Sequence, residues 1–176
     1  MFDLGQTMSA IYYILKHVSG PVDFKKLLKL LYMADRQSVL ATGIPITGDD
    51  LVAMPKGPVL KSVYALLTDE TAPNRDLFTT FFSVEDDNIQ LKKEFTYDWL
   101  SPFTENILDT ICREYGNGSG DELSEMTHHL PEWNFGSLSW ENVMRANGHE
   151  ELISQYHDSF SSLFPDTDRD EILEYA

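Results

Sequence analysis

Cysteine is nearly absent from this 176-residue sequence. Cys112 stands alone, which excludes an intrachain disulfide and any zinc site built on several thiolates. Basic residues are also scarce: 13 Lys and Arg face 29 Asp and Glu, for a formal charge of −16. The deficit is uneven. Residues 1–100 hold 13 acids and 10 bases, whereas residues 101–176 hold 16 acids and only Arg113, Arg145 and Arg169 as bases. A nucleic-acid reader needs a basic footprint, and so does a protein drawn to an anionic membrane, so neither partner is expected. Lys25, Lys26 and Lys29 form one small basic stripe against that trend. No apolar run approaches the ~18 residues of a membrane span. The opening MFDLGQTMSAIYYILKHVSG lacks the basic region and apolar stretch of a secretory signal. The expectation is a cytoplasmic protein.

What is present is enough apolar material for a core: 42% of residues are hydrophobic and 12% aromatic, unlike a disordered acidic chain. The length suits one domain over residues 1–176. No repeat, linker or low-complexity tract interrupts it.

Periodicity and punctuation predict a mainly helical chain. Met8, Ile11, Tyr12, Leu15 and Val18 share one face of a helix over Gln6–Val18, stopped by Gly20-Pro21. Asp23 caps a second helix, Phe24–Thr42, with Gly43 as its C′ residue. Its apolar stripe is Phe24, Leu27, Leu28, Leu31 and Ala34, and Lys25, Lys29 and Arg36 are expected on the solvated side. Leu51–Met54 reads as extended, Lys56-Gly57-Pro58 as a tight turn, and Val59–Leu67 as a third helix with Pro58 in its first turn. Thr68–Asp76 reads as a loop. Phe78–Val84 and Ile89–Phe95 flank Asp86-Asp87-Asn88 as a β-hairpin. Further helices are predicted over Pro102–Tyr115 (buried face Phe103, Ile107, Leu108, Ile111), over Gly120–His129 behind a Ser119/Glu122 capping box, from Ser139 to before Gly148, and over Glu150–Phe164. In this last helix Leu152, Tyr156, Phe160, Leu163 and Phe164 share a side, and Pro165 and an acidic tail follow. The fold class expected is predominantly α (α+β): a compact bundle of about six or seven helices with a small β-hairpin.

No catalytic constellation emerges. Glu125 and His128 form one Glu-x-x-His pair, but di-iron bundles use two. His128 and His129 diverge by ~100° on a helix, and His149 and His157 are too far apart to share an ion. Gly116-Asn117-Gly118-Ser119-Gly120 is neither a nucleophile elbow nor a phosphate loop. Cys112 lies near an apolar face and reads as packing. Asp49-Asp50 and Asp86-Asp87 read as turn residues. No metal, no cofactor and no enzymatic activity are therefore expected. Asp35, at the edge of an apolar stripe, needs a partner such as Lys56, Arg36 or an N–H near Gly57. It is either a contact residue on a recognition surface or a structural ion pair. Trp133, Phe135 and Trp140 cluster in LPEWNFGSLSW; they either anchor an interface or close a helical core.

Several ordered motifs go further. Lys26-Leu27-Leu28-Lys29-Leu30-Leu31-Tyr32-Met33-Ala34-Asp35 matches the pattern K-L-x-K-L-L-Y-x-A-D and resembles the opening signature of the Panacea domain, the SocA-like antitoxin family also seen in phage-associated proteins. Gly43-Ile44-Pro45-Ile46 is similar to the family's next element, and Gly57-Pro58-Val59 with Tyr64 to its G-P-V-x(4)-Y element. Leu100-Ser101 (with Glu105 one place late), Tyr115-Gly116, Leu123, Thr127-His128 and Trp133 follow in the family's order. The resemblance covers about residues 8–135, leaving 136–176 as a helical C-terminal extension with an acidic tail. It implies a bacterial or phage antitoxin, a part of phage defence, that neutralises a cognate toxin by direct protein–protein contact. Some toxins of such families look like alarmone-synthetase-type enzymes, and others act on membranes. The SocA type also implies an adaptor that delivers its partner to a AAA+ protease, which is the alternative function. An acidic antitoxin suits a toxin with a basic surface. The residues expected to contact the partner are Asp35, Lys56, Gly57, Tyr64, His128, Trp133 and Trp140.

Overall fold

The computed structural model describes residues 2–94 and 99–163. Helix α2 (Phe24–Thr42) is its axis. Every residue from Lys26 to Asp35 is buried, polar ones included, so the middle of this helix is enclosed on all sides. Its ends are as expected. The Asp23 carboxylate accepts the Lys26 N–H at 2.8 Å, and Gly43, at φ +77°, returns its N–H to the Val39 carbonyl.

Around it pack α1 (Leu4–His17), α5 (Pro102–Tyr115), α6 (Gly120–His128) and α7 (Trp140–Ala146). Helix α1 starts two residues earlier than expected, because Asp3 caps it through the Gln6 N–H. The Ser119/Glu122 capping box forms at α6, and Ser139 caps α7. On α5 the buried residues are Ile107, Leu108, Ile111 and Cys112, while Phe103 is 46% exposed. Phe103 sits in the first turn, outside the stretch that packs on the core. The last predicted helix is divided into a 3₁₀ turn, Glu150–Leu152, and α8, Ile153–Leu163. Leu152 and Tyr156 pack against the core; the expectations for the side chains of Phe160 and Leu163, and for Phe164, Pro165 and the acidic tail, lie outside the described residues.

Among the described residues, two antiparallel strand pairs complete the fold, one more than expected. β1 (Leu51–Met54) pairs with β2 (Gly57–Leu60), Val52 opposite Val59 and Ala53 opposite Pro58. Pro58 is thus in a strand and not in the first turn of a helix. Helix α3 (Lys61–Thr68) begins later because the Asp49 carboxylate accepts the Ser62 and Val63 N–H groups at 2.7 and 3.0 Å. That bond fixes where the helix's free donors start. Residues 75–81, divided between a loop and a strand by their sequence, form α4 (Arg75–Phe81). Leu77, Phe78 and Phe81 are all buried at helical spacing, and that packing overrides the strand preference of Phe and Thr. β3 (Phe82–Glu85) and β4 (Asn88–Leu91) then form the expected hairpin in shorter form. Asp86 and Asp87, at φ +48° and +64°, make its turn. Phe95 lies outside the described residues. No described helix is long and apolar enough to cross a membrane.

Candidate partner-binding site

The polar residues of the α2 signature point inward. Lys29, Tyr32 and Asp35 are 1%, 0% and 0% exposed, and each holds a segment distant in sequence. Lys29 Nζ donates to the Pro58 carbonyl at 2.7 Å. Tyr32 donates its hydroxyl to Glu132 Oε1 at 2.7 Å. Asp35 accepts the Thr47 N–H at 3.0 Å and also the Thr47 hydroxyl. Spacing of three along a helix keeps them near one face, so one strip of α2 pins strand β2, the 3₁₀ turn Pro131–Asn134 and the loop before β1. This corrects two expectations. Lys26 and Lys29 are buried and form no solvated basic stripe. Asp35 is met by Thr47, and not by Lys56, Arg36 or Gly57.

Burial shifts these groups. It pushes the Lys29 ammonium down to about 8, helped by the charge of Lys25. It raises the Asp35 carboxyl to about 7, opposed by the Thr47 bonds and reinforced by Asp49. Burial also works to raise Glu132, but bonds from Arg36 and Tyr32 outweigh it and leave that carboxyl below its ordinary value. Arg36 reaches Glu132 through Nε at 2.6 Å and Nη2 at 3.2 Å, and Asn147 Nδ2 adds a bond at 3.0 Å. Glu132 is 1% exposed. The sequence reading missed it, although Tyr32 and Arg36 stand four apart on α2 and together call for a buried acceptor.

Trp140 is also interior. It is 2% exposed, donates from Nε1 to the Asp49 carbonyl at 2.8 Å, and stacks with Tyr32 at 6.1 Å between ring centroids. Asp35 and Trp140 therefore offer no side chain to a partner, and both are corrected to core residues.

Of the other predicted contacts, Lys56, Tyr64, His128 and Trp133 lie nearer the surface, and Lys56 and Tyr64 border a cleft between the N-terminal half of α2 and the β1–β2 hairpin, whereas Gly57 is buried and is corrected to a packing position. The cavity measures about 230 Å³. Phe24, Leu28, Met54, Val59 and Tyr64 give it apolar walls, and Lys25, Lys29 and Lys56 supply its charges. Lys56 is exposed at the hairpin turn, and Tyr64 is half-buried. Gly57 is buried beneath them at φ +98°. A Cβ there would come within 2.5 Å of Thr127 Oγ1 and 3.0 Å of Lys29 Nζ, so only glycine lets the hairpin lie on α2 and α6. Thr127 thus brings the end of α6 beside the cleft. Its neighbour His128 meets Trp133 edge-on at 4.7 Å, both half-buried. Phe135 is 50% exposed. Phe24, Met54 and Lys29 belong to the cleft although none of them is among the contacts expected from the sequence.

The cleft is suited to binding. It joins apolar walls to positive charge. Burial raises the Cys112 thiol to about 11, away from the thiolate form. Among the described residues no three His, Cys, Asp or Glu side chains converge as a metal site; Glu125 instead lies 3.1 Å from His129 at the surface.

Comparison with protein families gives one finding. The family model described as Antitoxin SocA-like, Panacea domain, matches residues 27–134, a span that includes most of α2, both hairpins, α5, α6 and the Glu132 turn. No curated protein and no solved structure matches. More than half of the chain is covered, and the chain belongs to that family.

Proposed function

We propose that this SocA-like Panacea chain neutralises a cognate protein toxin by binding it directly, without catalysis, at the face formed by the α2–hairpin cleft and the end of α6. The observation that carries the reading is the division of labour among the family-pattern residues. Lys29, Tyr32 and Asp35 are consumed in holding the scaffold, whereas Lys56, Tyr64, His128 and Trp133 remain at least partly accessible. A scaffold fixed by buried polar bonds can vary its surface without losing its fold. The carboxyl best placed to suggest catalysis, Asp35, is fully buried and engaged by Thr47, which supports a binding role.

The test is co-expression with the neighbouring reading frame. A product that is toxic alone, harmless with this protein and co-purified with it supports direct neutralisation. Harmlessness with no complex, and no change in the product's level, overturns it. A fall in the product's level that depends on a AAA+ protease favours the adaptor reading. Trp133→Ala is expected to fold normally and to weaken neutralisation. Trp140→Ala is expected to cost about 3–5 kcal/mol of stability through loss of core packing. Equal neutralisation by wild type and Trp133→Ala, at matched stability, removes Trp133 from the interface.

A further inference from the structure

The cleft carries the opposite sign from the molecule around it. Its lining includes three lysines and no carboxylate, in a chain whose formal charge is −16. It already attracts a carboxylate at its edge: Lys25 Nζ binds Asp121 Oδ1 at 2.6 Å, and Asp121 is 76% exposed. The bond to Lys25 holds the Asp121 carboxyl below its ordinary value, and the charge of Lys56 adds to this. Both rim lysines therefore act on one exposed, displaceable acid. Behind them, the walls are apolar and the cavity of about 230 Å³ has room for one large side chain.

We propose that the cleft seats a large apolar side chain from an acidic segment of the partner protein, with carboxylates of that segment meeting Lys56 and replacing Asp121 at Lys25. The inference rests on the reading that a protein partner binds this face, and it names the chemistry of the anchoring segment. Charge complementarity selects the occupant: a basic segment would set its cations against the rim lysines Lys25 and Lys56, whereas an acidic one meets opposite charge. The wider surface adds selectivity. An acidic segment is repelled by most of this molecule, so the cleft defines both where it lands and in which register.

The probe is a fluorescein-labelled, C-terminally amidated peptide, Ser-Glu-Phe-Glu-Ser, titrated with the full chain and read by fluorescence anisotropy. Binding is expected. Replacing Phe by Ala in the peptide should weaken it about tenfold or more, through the lost apolar burial. Replacing both Glu by Gln should also weaken it. On the protein, Lys56→Gln should weaken binding about two- to fivefold, the scale of an exposed ion pair. Asp121→Asn should strengthen it by a similar factor, because Lys25 is released. Circular dichroism and thermal melting confirm that both variants are folded. No binding, equal binding of the Gln peptide, or affinity unchanged by both protein variants overturns the proposal. If the co-expressed toxin still binds while Lys56→Gln and Asp121→Asn leave its affinity unchanged, this inference falls and direct neutralisation stands. If the co-expressed toxin forms no complex with wild type, the functional reading itself falls.

Discussion

Glu132 joins α2 to α7 and to the turn between α6 and α7, through bonds from Tyr32, Arg36 and Asn147. Removing one member of a buried charged set strands the others. Glu132→Ala is therefore expected to destabilise the fold by about 3–5 kcal/mol, read as a lower urea midpoint, with Glu132→Gln losing less because it can still accept from Tyr32. Equal midpoints for wild type and Glu132→Ala would show that the network contributes nothing. The other two staples predict a pH signature. Asp35 has its carboxyl at about 7 in the folded chain, against ~3.9 when unfolded. The folded state holds that proton more tightly, so this contribution to stability is complete below about pH 4 and is lost as pH rises through 7. Lys29 behaves oppositely. Its ammonium is at about 8 when folded and ~10.4 when unfolded, so stability recovers as pH rises from about 8 to 10. Each window is worth on the order of 3 kcal/mol. Asp35→Asn should flatten the first and Lys29→Met the second, as read from melting temperature against pH. Slopes left unchanged by these variants would refute the assignment.

At the level of elements, the β1–β2 hairpin depends on a single position. Gly57 combines φ +98° with a Cβ site 2.5 Å from Thr127 Oγ1. Gly57→Ala is expected to cost roughly 1–3 kcal/mol, and Thr127→Ala in the same chain should restore the steric part while the backbone strain remains. Additive losses in that double-mutant cycle would mean the two residues do not touch. The hairpin also shows where sequence stops being informative. Helices α2, α5, α6 and α7 were legible because their signals are local: Asp23, Ser101, Ser119 and Ser139 cap within three residues. β2 and α4 were misread because their causes are remote. The first turn of α3 is capped by Asp49 from 13 residues away, and α4 is set by burial of Leu77, Phe78 and Phe81. The same distinction governs the site. Lys56 and Tyr64 could be picked from their motif, but Lys29 looked solvated, since a lysine on a polar strip reads as exposed until Pro58 supplies its carbonyl.

Over the whole molecule, charge and shape are separated. The acid-rich half contributes α5 to α8, and its exposed acids include Glu114 and Glu125. The cleft, built from α2 and the first hairpin, lies in the nearly balanced half. Long-range attraction and short-range fit can thus be altered independently, and they act on different rate constants. If the acidic half steers a partner with a basic surface, the association rate should fall about tenfold or more from low to high salt, with dissociation little changed. Glu114→Gln with Glu125→Gln should lower the association rate at low salt and reduce its salt slope, because both changes remove charge without touching the cleft. Lys56→Gln should do the reverse: the local contact is lost, dissociation quickens, and the salt slope of association hardly moves. Stopped-flow association kinetics of the purified partner across an ionic-strength series separate the two. An association rate that is flat in salt would show that the −16 charge has no part in finding the partner, and would leave the cleft and the Trp133 surface to account for recognition by contact alone.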